Sequence, residues 1–532
     1  MKLQTIKIIA VALIIMSFAS CAKDLLKTNT DPNAVSVDAF DPNNILTAVQ
    51  LYYTGSTDNA IEVEETEIMG AGCMIQHFAS TSGYFFGDKY LLSLGGFGTF
   101  FDHAYPSTIK NVVDLVTTTT GKPQYANLHQ IARIMKVLSF EKITDVYGDV
   151  PYFNAGQAYH ESIYFPAYDK QQDIYTDMIK EVSEAVDSLD ENGDLPIGDM
   201  FYSQGGGDQI AQWKRFGNTL LLRLGMRLTK VDPATAQAIA TKVQGLTMQS
   251  DADNAIVQHG TNDPLTINRI YRGIGEDGGV QLSWQMSKPF IDFMDSTSDP
   301  RLPIISFVWD TLYSPGNDDP YNPNGSSDPA DQVGLPNGYD AGNTVHGILT
   351  YQGYLGNLLY YSRPSPIVFN PTAPTLVLTY AESELLLADA AARWGIGGAA
   401  EAETHYNNGV RSAMTMLSAY GPAGVIDAGD IDDYITANAY DPAHGLEMIN
   451  TQYWAATFLD EYEAWANYRR TGFPNLTPVA SFPGSQSPGA IPRRMQYSTS
   501  DKQVNPVNYN LAVANLPGGD KITSRMWWDV AN

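Results

Sequence analysis

Apolar positions recur at intervals of three and four along much of the chain, and each such run predicts a helix with one buried stripe. Leu128, Ile131, Met135 and Leu138 mark one helix from Tyr125 to about Tyr147, where Gly148 releases the backbone and Pro151 keeps Val150 out of helical geometry. Ile174, Met178, Val182, Ala185 and Leu189 mark a second over about 169–190. Beyond a glycine run at 205–207, Trp213, Phe216, Leu220, Leu224 and Arg227 continue at the same spacing. Asn218, Arg223 and Arg227 set polar groups among these apolar positions, and internal hydrogen bonding is their expected role. Asp232-Pro233 opens a further helix over 232–249, and shorter helical patterns cover 45–53 and 61–78. Glycine–aromatic stretches at 83–87 and 95–98 separate elements.

The pattern is strongest between 379 and 472. Ala381, Leu385, Ala388 and Ala392 step along one helix; Tyr406, Val410, Ala413 and Leu417 step along the next, which Gly421-Pro422 stops. A third is predicted over 446–470, carrying Ile449, Tyr453, Ala456, Leu459, Tyr462 and Ala466 on one side and ending at Thr471-Gly472. Short side chains on facing stripes let two helices approach closely, which is how helix pairs stack into tetratricopeptide-like arrays. No regular 34-residue consensus runs through the chain, so the expectation is a mainly α protein of stacked helical hairpins, with an ordinary helical core as the alternative. Between 251 and 370 the pattern changes. Proline, glycine, asparagine and aspartate accumulate around Tyr271, Trp284, Phe293, Trp309, Tyr313, Tyr321 and Tyr339, and only short extended pieces such as 304–309 are expected. Irregular loops held by a rigid helical body suit recognition.

Charge narrows the functional classes. Against 32 Lys and Arg stand 59 Asp and Glu, for a formal net charge of −27, so a basic footprint for nucleic acid is missing. The N-terminus carries Lys2, Lys7, an apolar run at 8–15 and Ala19-Ser20 directly before Cys21. That is a secretory signal over 1–20 rather than a membrane span, and cysteine directly after small residues looks like a lipoprotein site. Cys21 is then the lipidated residue, 21–44 the anchor and linker, and 45–532 a single body with 251–370 as its recognition region. Cys73, left without a partner, is expected to be a buried small apolar group.

Several strings occur in a particular order: Asp145-Val146-Tyr147-Gly148-Asp149-Val150-Pro151-Tyr152; Trp213 through Leu224; Thr379-Tyr380-Ala381-Glu382-Ser383-Glu384; Tyr406 through Arg411; Glu463-Ala464-Trp465 with Arg469-Arg470-Thr471-Gly472-Phe473-Pro474; and Ile491-Pro492-Arg493-Arg494. In this order the chain resembles the SusD/RagB family of outer-membrane nutrient-binding lipoproteins, in its SusD-like subgroup. The resemblance implies four tetratricopeptide-like helical pairs with an irregular ligand-facing portion, and a lipid anchor at the cell surface. It also implies a TonB-dependent SusC-like transporter as partner, to which captured oligosaccharide is delivered. It implies no cofactor.

Sugar recognition needs an aromatic ring against the apolar face of a pyranose, with amides or carboxylates for its hydroxyls. Trp284, Trp309 and Tyr321 are the first aromatic candidates in the 271–361 loops, with Asp310 and Asn322 as polar neighbours. Core packing is the competing role for each tryptophan. Tyr84 and Phe86, on a glycine-bounded aromatic tip, are further candidates. Catalysis has little to rest on: no GxSxG elbow or HExxH helix occurs, and the eight histidines lie far apart without metal-ligand spacing. Capture of a peptide or another nutrient beside the same kind of transporter, or a helical-repeat scaffold for proteins, are the alternative functions.

Overall fold

The computed structural model describes residues 40–56, 60–202, 208–275, 283–309, 325–342, 344–398 and 400–531. Cys21, the 205–207 glycines and Asp310, Tyr321 and Asn322 lie outside them. Residues 43–532 make up one compact unit.

Four successive helix pairs form the scaffold. Helix α1 (Asn43–Tyr53), α2 (Leu94–Ala104) and α3 (Lys110–Thr119) lead into the first pair, α4 (Ala126–Tyr147) and α5 (Gln171–Ser188). The second is α6 (Gln209–Arg227) with α7 (Pro233–Val243). Helix α8 (Lys288–Ser296) belongs to the loop-rich region, after which α9 (Tyr380–Trp394) pairs with α10 (Glu401–Thr415). Past α11 (Ala428–Ala437), α12 (Gly445–Ala456) pairs with α13 (Glu461–Thr471). Helix α6 packs on both α5 and α9, α9 on α12, and α13 returns to α4, so the pairs enclose a common core. The predicted stripes are the buried ones: Leu128, Ile131, Met135 and Leu138 are fully covered, as are Ile174, Met178, Val182 and Ala185.

Local chemistry sets the helix ends. Thr379 and Glu382 form a capping box at the start of α9, and Gly395 closes it in the left-handed region. Asp232 caps α7 by accepting from Thr235 N, with Pro233 in the first turn. Two expectations change. The helix predicted over 446–470 is two helices, because Leu459 takes φ +73° and Asp460 caps the second by accepting from Glu463 N. The pattern at 61–78 gives a π-helix, Val63–Gly72, and ends in strand β1 (Phe78–Ala79) after Gln76 turns through φ +58°.

The loop-rich region is stitched by short strands. β1 pairs antiparallel with β3 (Gln285–Met286), and β2 (Ala255–Val257) with β7 (Thr375–Leu378). β4 (Ser306–Trp309) lies between β5 (Gly325–Ser326) and β6 (Arg363–Pro364). The extended piece expected at 304–309 is shorter, since Leu302–Ile305 forms a helical turn before β4.

The polar residues of the ordered strings meet inside this scaffold. Arg223 of α6 donates to both carboxylate oxygens of Glu141 on α4, at 3.1 and 2.7 Å, and to Glu382 on α9 at 3.3 Å. One turn on, Arg227 bonds Asp145 at 2.9 Å and also Glu463 of α13. Asp145 accepts from Trp528 Nε1 at 3.0 Å, which seats the C-terminal tail, while Arg494 bonds Tyr147 O at 3.0 Å. Burial pushes Glu141 up to about 7 and Glu382 to about 8, against the pull of the arginines. Burial opposes Glu463 too, but Arg227 and Arg223 overcome it and leave its carboxyl below the ordinary range. These motifs hold the scaffold together; the expected internal role of Arg223 and Arg227 is the observed one. Cys73 is buried and free, as its neighbours suggested.

Candidate functional site

Trp284 and Trp309 both sit against protein. Trp284 is 1% exposed, its ring between Phe78 at 4.8 Å and Phe369 at 4.9 Å between centroids. No face of it is left for a sugar, and the ligand contact expected of Trp284 gives way to core packing. Trp309, on β4, is 6% exposed and carries the Arg363 guanidinium 4.3 Å from its ring centroid, a cation–π pair across the strand pairing. Asp310 follows it directly in the chain; with Tyr321 and Asn322 it is outside the described residues.

A different set of rings reaches the surface. Ala79, Leu335, Ile348 and Tyr361 form a small apolar cluster of their own, and Tyr339, Tyr351, Tyr354 and Leu358 lie half-buried over it. The rings of Tyr339 and Tyr351 are 5.5 Å apart, and those of Tyr354 and Tyr361 are stacked at 6.4 Å. Tyr361 receives a bond from Leu355 N at 3.2 Å, which folds the 353–361 turn back on itself. Its phenol is raised by burial, so it stays protonated. Gln352 and Asn357 stand exposed in the same turn, and Asp340 bonds Gly342 N at 2.8 Å in the adjacent one.

Three distant segments supply this face. Leu335 fixes the start of one segment to β3 and to the first residue of α8 by backbone bonds, Leu335 N to Met286 O at 2.9 Å and Lys288 N to Leu335 O at 2.8 Å. The 78–90 segment joins through Ala341 N, which donates to Thr81 O at 3.1 Å, and it carries Tyr84, 80% exposed, three residues further on. The 479–486 segment joins through His346 against Phe482, with ring centroids 5.3 Å apart. The arrangement offers flat rings beside amide and carboxylate groups, which is the composition that a pyranose surface needs. Of the two residues on the aromatic tip, Tyr84 is exposed and Phe86 is buried against Phe97 at 4.8 Å. Sequence reasoning placed its candidates in the 271–361 loops, with Trp284, Trp309 and Tyr321 first, and passed over Tyr351, Tyr354 and Tyr360; their density among glycines between 339 and 361 was the available signal.

Among the described residues, no group of three or more His, Cys, Asp or Glu side chains is placed to hold a metal ion. No helix among them is long and apolar enough to cross a membrane.

Residues 32–498 match the SusD-like family described as "Starch-binding associating with outer membrane". The chain belongs to this SusD-like family. Among solved structures, a chitin-binding protein is 30% identical, with a TM-score of 0.78 over 92% of this chain and 100% of its own. A chitin-binding SusD homologue from Flavobacterium johnsoniae is 23% identical, with a TM-score of 0.72 over 92% and 99% of the two chains. A SusD homologue from Bacteroides uniformis has the same fold at 22% identity, with a TM-score of 0.72 over 92% and 100%. No curated protein matches the sequence. The helical body with a loop-rich face is thus the SusD-like architecture, as the ordered strings implied.

Proposed function

We propose that this SusD-like protein is a surface lipoprotein, anchored at Cys21, that captures oligosaccharide on the face of Tyr84, Tyr339, Tyr351, Tyr354 and Tyr360. It hands the sugar to a TonB-dependent SusC-like transporter in the outer membrane. The observation that carries the reading is the cluster of half-exposed tyrosines over its own small apolar core, since paired rings beside Gln352, Asn357 and Asp340 fit a neutral, hydroxyl-rich ligand. Support also comes from the family's description as starch-binding and from the chitin-binding relative. The net charge of −27 suits a neutral ligand better than a polyanion. The protein acts by binding and does no chemistry on the sugar.

Calorimetry with chitin-type and starch-type oligosaccharides and with peptides tests the ligand class. Saturable binding of one oligosaccharide series is the expected result. Binding of peptides alone overturns the glycan reading and leaves the transporter role to be judged by whether the lipoprotein co-purifies with a barrel of that class.

A further inference from the structure

The tyrosine face is assembled over a pair of charges that the ligand would never meet. Asp88 and Lys89, in the helical turn Phe86–Lys89, are both 0% exposed. Their ion pair is 2.9 Å long. Lys89 Nζ also donates to Ser80 O at 2.5 Å and reaches Ser82 O at 3.4 Å, so its bonds run to the loop that leads to Tyr84. Asp88 accepts from Ser80 N at 3.4 Å on the same loop and also bonds the opposite segment. Its Oδ1 accepts from Asn337 Nδ2 at 2.7 Å and its Oδ2 from Gly338 N at 3.0 Å, directly before Tyr339. Asn337 Nδ2 bonds Phe78 O at 2.9 Å as well. Gly338 is suited to this approach: its φ is +86°, and a Cβ there would stand 2.8 Å from Val479 Cγ1. The same end of the 479–486 segment is held through Tyr90, whose hydroxyl accepts from Val479 N at 3.3 Å.

Two buried charges are a poor way to gain stability, because each gives up its hydration for a Coulombic return of similar size. What such a pair does supply is geometry: every lone pair and proton is directed, and an alternative register leaves a charge bare. Ordinary apolar packing would have held these loops as firmly without fixing where Gly338 sits relative to Ser80. We propose that the Asp88–Lys89 pair is a positioning clamp that sets the distance between the Tyr84 loop and the Tyr339–Tyr361 face, and with it the spacing of the rings that receive ligand. The clamp itself stands on the bonds above; its bearing on ligand rests on the glycan reading.

The test separates the two. In the mature protein, Asp88→Leu with Lys89→Met removes both charges together, so that neither is left unpaired, and Asp88→Asn keeps the volume and one acceptor. Amide hydrogen exchange is read first, without ligand. The clamp predicts that Gly338 and Ala341 exchange at least tenfold faster in the double variant and less so in Asp88→Asn, while α4 and α6 keep their protection. Unchanged exchange at Gly338 and Ala341, or loss of protection spread evenly through the scaffold, overturns the clamp. Affinity for the oligosaccharide that binds the wild-type protein is read second, with at least a tenfold loss expected in the double variant. Faster exchange with unchanged affinity overturns the role in ligand spacing. Absence of oligosaccharide binding by the wild-type protein defeats the glycan reading while the exchange result still decides the clamp.

Discussion

At the residue scale, chemical type told less than place. Tryptophan is a good platform for sugar, yet Trp284 is walled in by Phe78 and Phe369, which come from segments far from it in sequence. No local pattern announces such a meeting. The tyrosines at 339–361 were equally visible in the sequence, and what distinguishes them is the small cluster of Ala79, Leu335, Ile348 and Tyr361 beneath, again built from separate segments. The two kinds of ring are separable by experiment. Trp284→Ala is expected to lower unfolding stability by about 3–5 kcal/mol, the usual cost of emptying a large aromatic site, as measured by denaturant titration. A change below about 1 kcal/mol would place the ring outside the core. Tyr351→Ala touches a half-exposed ring, and its expected stability change is about 1 kcal/mol or less.

At the element scale, helices were legible because their buried stripes repeat locally. The stripes of α4, α5 and α6 needed no tertiary knowledge to find. The break between α12 and α13 was hidden because apolar periodicity carries through it; the reversal depends on Leu459 at positive φ and on the Asp460 cap. Close approach of helix pairs was read from alanines, but a glycine also sits at the α9–α10 contact. A Cβ on Gly409 would lie 2.6 Å from Leu385 Cγ and 3.2 Å from Leu385 N. Gly409→Ala is therefore expected to destabilise by about 1–3 kcal/mol despite alanine's better helix propensity, because the helices must part. A rise in melting temperature would show that the pair has room to spare.

At the scale of the whole molecule, most of the ordered strings that carry the family resemblance feed the scaffold's internal ion network, while Arg411 of the 406–411 string pairs with Asp432 at the surface. Removing one partner leaves charges buried without their counterion, so Arg227→Met is expected to cost about 3–5 kcal/mol or to prevent folding, read by thermal unfolding and by yield of folded protein. The same burial gives the fold a pH dependence. Burial holds Glu67 up at about 8, with Asp460 and Glu461 adding to the rise and Lys142 opposing it; Glu141 at about 7 and Glu382 at about 8 behave alike. In each case the folded state holds a proton that the unfolded chain releases near 4.5, so stability falls as pH rises toward the folded value. His259, lowered to about 4, works in the other direction only below about 6.5, and Lys230, lowered to about 8, does so only above about 8. Between pH 6.5 and 8 the melting temperature is expected to decline, and Glu67→Gln to flatten that decline. An identical slope in the variant would remove Glu67 from the explanation.

The fold could be read almost whole because it rests on periodic stripes and on strings with a fixed order. The tyrosine face proposed for the ligand was not legible, because its rings are gathered by segments such as 337–342 whose bonds run to Thr81 and Asp88. The most direct test of that face is the affinity of one oligosaccharide for the wild-type protein and for Tyr339→Ala/Tyr351→Ala, compared at equal folded fraction. A loss of tenfold or more in the double variant is the predicted result. Equal affinity in the two proteins would contradict the tyrosine face as the place where this protein holds its ligand.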